Sequence, residues 1–162
     1  MSIYDVGTLE SVGVRVLALD YGTARIGCAI SDPSGTIATP VPTVEPPEPR
    51  AVADLVEAYG AERVVVGLPL HLSGKEGSQA ELTRSFCAEL EALVDVAIET
   101  YDERLTTRMA EASRHEGATA PPDSLAAAHL LQTYLADQAA VQETQSAEGE
   151  GRGEPGRDES DE

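Results

Sequence analysis

Val14-Arg15-Val16-Leu17-Ala18-Leu19-Asp20-Tyr21-Gly22-Thr23-Ala24-Arg25-Ile26-Gly27-Cys28-Ala29-Ile30 is the stretch that decides the fold. Val14 to Leu19 is apolar but for Arg15, and it reads as a buried strand. Asp20-Tyr21-Gly22-Thr23 turns the chain, and Arg25 to Ile30 returns as a second strand. So short a connection makes the pair a hairpin. Asp32-Pro33-Ser34-Gly35 is the next turn signal, and a short third strand is expected around Thr36–Thr39.

Working outward, the period changes. A proline-rich link (Pro40, Pro42, Pro46, Pro47, Pro49) leads into a helix with Val52, Leu55, Val56 and Tyr59 on one face, ended by Gly60. Arg63-Val64-Val65-Val66-Gly67 has the β-branched density of a buried parallel strand. A loop from Leu68 to Gly77 precedes a helix striped by Leu82, Phe86, Leu90 and Leu93, for which Ser78 and Glu81 predict a capping box. Val94 to Tyr101 alternates as a strand that Asp102-Glu103-Arg104 ends. A helix from about Thr106 to His115 follows, Pro121-Pro122 breaks the chain, and Asp123 caps a last helix from Ser124 to about Ala140. The expected fold is α/β: an antiparallel three-strand start, then parallel crossover strands, in a mixed sheet flanked by helices. That order is the ribonuclease H-like arrangement.

The 162 residues suit one domain, and 41% hydrophobic content is enough for a core. With Trp absent and one Phe, that core must be built from Val, Leu, Ile and Ala. Acidic residues outnumber basic ones 29 to 11, for a net charge of −18, and Lys75 is the single lysine. Such a charge excludes a generally basic nucleic-acid surface, so a polyanion must be met through a local patch or through metal ions. Cys28 and Cys87 have no metal-site or disulfide spacing, which fits a reducing cytosol. No apolar run approaches the roughly 20 residues of a membrane span. The opening MSIYDVGTLE lacks the features of a signal peptide, so a cytoplasmic location is expected. Residues 1–12 read as an extension and residues 13–140 as the folded domain. Residues 141–162, with eight acidic and two basic residues, read as a disordered acidic tail of charge −6.

Four carboxylates stand where chemistry is possible. Asp20 ends a strand face that also carries Val14, Val16 and Ala18, so it either caps the turn or holds a cation. Asp102 and Glu103 finish another strand, and Asp123 stands at a helix N-terminus. Taken singly, the pair reads as a solvated strand end and Asp123 as a plain cap. In open α/β sheets, however, the carboxyl ends of strands and the helix N-termini converge on one crevice. Carboxylates gathered there repel one another unless a divalent cation joins them. Hard oxygen donors suit Mg²⁺ or Mn²⁺ and argue against zinc.

The stretch Leu19 to Asp32 resembles the opening of the YqgF/RuvX family, the Holliday-junction-resolvase-like or pre-16S rRNA nucleases. So do Val66-Gly67-Leu68-Pro69-Leu70 with Gly74, then Asp102-Glu103-Arg104-Leu105-Thr106-Thr107. Asp123-Ser124-Leu125-Ala126-Ala127, running on to Leu131-Gln132-Thr133-Tyr134-Leu135, completes the match. The resemblance implies a ribonuclease H-like fold and metal-dependent phosphodiester hydrolysis by Asp20, the Asp102/Glu103 pair and Asp123, with Glu103 favoured within the pair. It implies two ions ~3.5–4 Å apart, with Asp20 bridging both and Glu103 and Asp123 holding one side each. Arg25, Lys75, Arg104 and Arg108 are the basic residues nearest these motifs and the candidates for phosphate. Lys75 reads equally as a solvated loop lysine, and Arg104 as an ion-pair partner of the acidic pair. Ala24 stands where the family often has lysine, and His71 and Ser73 replace frequent Asn and Asp.

These readings lead to a nuclease on structured RNA, with rRNA precursor processing foremost. The alternatives are a resolvase of branched DNA and a non-catalytic partner protein. Asp20-Tyr21-Gly22-Thr23 also resembles the first phosphate motif of actin-like ATPases and sugar kinases, but those need two such domains. A monomer or weak dimer is expected.

Overall fold

The computed structural model describes residues 14–69, 77–102 and 122–150. Five strands form one sheet: β1 (Val16–Tyr21), β2 (Ile26–Ser31), β3 (Ala38–Val44), β4 (Arg63–Leu68) and β5 (Ala97–Asp102). Their order across the sheet is β3-β2-β1-β4-β5. β1 pairs antiparallel with β2, and β2 with β3. β4 runs parallel to both β1 and β5. Three described helices cover it: α1 (Pro49–Tyr59), α2 (Ser78–Glu91) and α3 (Pro122–Glu150).

The alternation of β1 sorts the core into two layers. Leu17 and Leu19 point to one face with Ile26, Cys28, Ile30, Val64 and Val66, where Val52 and Val56 of α1 and Phe86, Cys87 and Leu90 of α2 cover them. Each fully buried branched side chain there contributes about 1.5–3 kcal/mol. Val16 and Ala18 point to the other face with Ala29 and Val65, under Ala127, Leu130, Leu131, Tyr134 and Leu135 of α3. That second face is made of smaller residues, so α3 lies close to the sheet. Burial pushes the Cys28 thiol up to about 12, so this cysteine serves as an apolar packing group.

Several expectations need correction. The third strand is not confined to Thr36–Thr39 but spans Ala38–Val44, through Pro40 and Pro42. It is an edge strand, where a missing N–H breaks no ladder if it faces outward. The buried stripe of α2 is Ala80, Thr83, Phe86, Cys87 and Leu90, whereas Leu82 and Leu93 are exposed. The expected Phe86 and Leu90 are inside, Ala80, Thr83 and Cys87 join them, and the Thr83 hydroxyl is satisfied by donating to the Gln79 carbonyl at 2.8 Å. Ser78 is the first helical residue rather than the cap. Gly77 holds the cap position, and its carbonyl accepts from the Glu81 N–H.

The last helix begins two residues earlier than expected, at Pro122, which suits a first-turn position that needs no N–H donor, so Asp123 lies in the first turn rather than at the cap. It also continues to Glu150, past the Ala140 boundary set for the domain and into the segment read as a disordered tail. Ala, Gln and Glu carry the helix onward by propensity once the packed part has nucleated it. The extension 1–12, the helix expected from Thr106 to His115, and tail residues 151–162 lie outside the described residues.

Candidate active site at the carboxyl end of the sheet

β1 ends in Asp20 and Tyr21, and the hairpin closes by the Gly22 N–H donating to the Arg25 carbonyl at 3.0 Å. Gly22 is required there, because a Cβ would stand 2.8 Å from that carbonyl oxygen. Across the hairpin the pairs are Ala18 with Ala29 and Asp20 with Gly27. Directly opposed residues share a face, so Asp20 and Gly27 both look toward α3.

Gly27 lets the helix arrive. A Cβ on it would meet the Asp123 carbonyl oxygen at 2.0 Å and its carbonyl carbon at 2.3 Å. The first turn of α3 therefore rests on bare backbone beside Asp20. Ser124 locks this arrival: its buried hydroxyl donates to the Val41 carbonyl at 2.7 Å. In this way the sheet register and one glycine bring Asp20 and Asp123 to the same corner. Arg25 completes it, with Nε 3.5 Å from Asp123 Oδ2 and the two side chains 51% and 44% exposed. The start of α2 reaches the same end of the sheet, where the Gln79 amide donates to the Tyr21 carbonyl at 3.4 Å.

Asp102 sits elsewhere. It pairs with Leu68 at the end of β5. The strand's alternation puts it on the face of Ile98, which packs in the α1–α2 layer, while Tyr101 packs in the α3 layer. Asp20 and Asp102 thus occupy opposite faces. Glu103, Lys75, Arg104 and Arg108 lie outside the described residues. Among the described residues no group of three His, Cys, Asp or Glu is assembled. The corner holds two hard oxygen donors, Asp20 and Asp123, and Cys28 faces the other layer. Such a donor set suits Mg²⁺ or Mn²⁺ better than zinc.

Sequence reasoning gave Asp20, Asp123 and Arg25 but not the roles of Gly27 and Ser124. A glycine inside a strand pattern is itself a signal of close backbone approach, and Gly27 carried it.

A mixed sheet with three antiparallel strands leading two parallel ones, and carboxylates at their carboxyl ends, defines a ribonuclease H-like protein. The fold matches the T. thermophilus RuvC solved in complex with a Holliday junction substrate (TM-score 0.57, 12% identity, 78% of this chain and 96% of that one). It also matches the yeast mitochondrial Holliday junction resolvase Ydc2 (TM-score 0.50, 12% identity, 83% and 82%). Residues 14–137 match the family model described as RuvX, Holliday junction resolvase, and the chain belongs to that family. Relatives include a protein of Chloroflexus aurantiacus, 43% identical over 131 residues (74% of this chain, 85% of the relative). Another, from Sulfurihydrogenibium sp., is 40% identical over 129 residues (75% and 89%). Both carry the name "Putative pre-16S rRNA nuclease". Among the described residues no helix is long and apolar enough to cross a membrane.

Proposed function

We propose that this chain is a metal-dependent nuclease that hydrolyses phosphodiester bonds in the 5′-end maturation of pre-16S rRNA. The observation that carries the reading is the seating of Asp123 on Gly27, directly across the hairpin from Asp20. Two carboxylates brought to one corner are the kind of hard oxygen donors a divalent cation takes. Membership of RuvX and the names of the relatives point the same way.

Asp20, Glu103 and Asp123 would hold Mg²⁺ or Mn²⁺. Glu103 is preferred to Asp102 because Asp102, on the face of Ile98, lies opposite Asp20. The bound ion would polarise the phosphate and activate water. Asp20 and Asp123 would hold it from a strand end and a helix start, both rigid elements. Arg25, Lys75, Arg104 and Arg108 would meet the phosphates, giving a structured rRNA precursor as partner. The protein would act in the cytoplasm as a monomer or weak dimer.

A cleavage assay with Mg²⁺ or Mn²⁺ compares an rRNA precursor, a four-way DNA junction and single-stranded RNA. Metal-dependent cutting of the precursor above the other two is the expected outcome. Preference for the junction would move the substrate to branched DNA, and failure to cut any of them would leave a non-catalytic partner protein.

A further inference from the structure

We propose that Arg25 exchanges partners. In the metal-free protein its guanidinium is the counter-ion of Asp123; a divalent cation that takes the Asp123 carboxylate releases Arg25 to a substrate phosphate. This inference rests on the nuclease reading of the same corner.

The ion pair has the properties of a holding contact. Its Nε–Oδ2 distance is 3.5 Å, longer than the ~2.7–2.9 Å of a charge-assisted hydrogen bond. Both side chains are about half exposed, where such pairs are weak. α3 does not need this pair to dock, because the Gly27 contact, the buried Ser124 bond and the Leu130–Leu131 packing already fix its start.

Both backbones are held, so the exchange is a matter of side chains. The Gly22–Arg25 hydrogen bond fixes the hairpin loop, and Gly27 fixes the main chain of Asp123. A doubly charged ion on the carboxylate outcompetes one guanidinium at 3.5 Å and repels it. Arg25 then remains within a side chain's reach of any phosphate bound at that ion, and its fork of donors suits phosphate oxygens.

The test is calorimetric titration of the full chain with Mn²⁺ in four forms: wild type, Arg25→Ala, Arg25→Lys and Asp20→Asn. Removing a competing counter-ion should make Arg25→Ala bind Mn²⁺ about two- to fivefold more tightly, the size of an exposed ion pair, with Arg25→Lys near wild type. With Mn²⁺ present, the slope of log K against log[salt] for precursor RNA should become shallower by ~0.7 in Arg25→Ala, and stay unchanged in EDTA. Wild-type or weaker Mn²⁺ affinity in Arg25→Ala overturns the exchange and leaves the nuclease reading standing. No Mn²⁺ binding by the wild type, or full binding by Asp20→Asn, removes the metal site and overturns both.

Discussion

At its first turn α3 brings Asp123 beside Asp20, with Arg25 at 3.5 Å and both members of that pair half exposed. Three turns later the same helix meets the same sheet through polar groups that hydrogen-bond to one another. There the Tyr134 hydroxyl accepts from Arg63 Nη1 at 2.8 Å and donates to Glu99 Oε2 at 2.9 Å. Arg63 lies 3.8 Å from Glu99, the Tyr101 hydroxyl donates to Asp137, and the two tyrosine rings meet edge to face at 5.8 Å. The Tyr134 bond raises the Arg63 guanidinium above its ordinary value, and burial raises both phenols. A polar cluster built to hold a helix thus closes on itself. At the first turn the contact is looser: Arg25 meets Asp123 at 3.5 Å with both side chains about half exposed, and this is where the proposed cation would bind.

The sharpest way to break that contrast is Asp20→Asn. Cleavage of precursor RNA should fall about a thousandfold or more, the scale of losing a preorganised charge at the reacting centre. Without metal the variant should be no less stable in urea, since repulsion between like charges is relieved. Wild-type turnover would remove Asp20 from the chemistry.

Gly27→Ala should act next most strongly, on stability and activity together. Its Cβ would stand 2.0 Å from the Asp123 carbonyl, so the start of α3 must shift. An overpacked contact of this kind costs about 2 kcal/mol or more, read as a lower urea midpoint. The accompanying displacement of Asp123 should slow cleavage by about a hundredfold. Unchanged stability would mean that the helix does not rest on Gly27.

At the hydrogen-bonded end the expected pattern is the reverse. Tyr134→Phe leaves Arg63 and Glu99 without their shared hydroxyl and should cost about 1–2 kcal/mol with turnover unaltered. A loss of activity at constant fold would blur the contrast between the two ends.

The smallest effect belongs to Asp32, in the β2–β3 turn. Its carboxylate accepts from the Ile37 N–H, the Ser34 hydroxyl and the Thr36 N–H, which hold it at about 2, below the ordinary 3.8. A lowered folded-state value means that the contribution is complete above 3.8 and is lost as pH falls through about 2. Asp32→Ala should therefore flatten the dependence of stability on pH between those values, with little change at neutral pH beyond the lost turn bonds.

Much of this was legible because alternation is a strong code. Leu17 and Leu19 against Val16, Ala18 and Asp20 already separate the two faces of β1. The hairpin and the β-branched run of β4 follow from period and turn chemistry alone. What stayed hidden depends on neighbours in space. Pro40 and Pro42 argue against a strand until the strand is known to be an edge. Phe86 and Leu90 were readable as the inner stripe of α2, but Leu82 was as plausible a member as Ala80, Thr83 and Cys87, and only the packing leaves it outside. Gly27 signalled a close contact, but only the fold identifies Asp123 as what approaches it. That Asp102 lies on the face opposite Asp20 needs the parity of β5 relative to β1, which the register supplies through β4.

The central claim is that the α3 face at the carboxyl end of β1 is where the metal binds. Anomalous scattering from a crystal grown with Mn²⁺ tests it directly. The account predicts a peak about 2.1 Å from the carboxylate oxygens of Asp20 and Asp123, with Glu103 completing the set. A peak on Asp102 on the opposite face, or none at this corner, would contradict it.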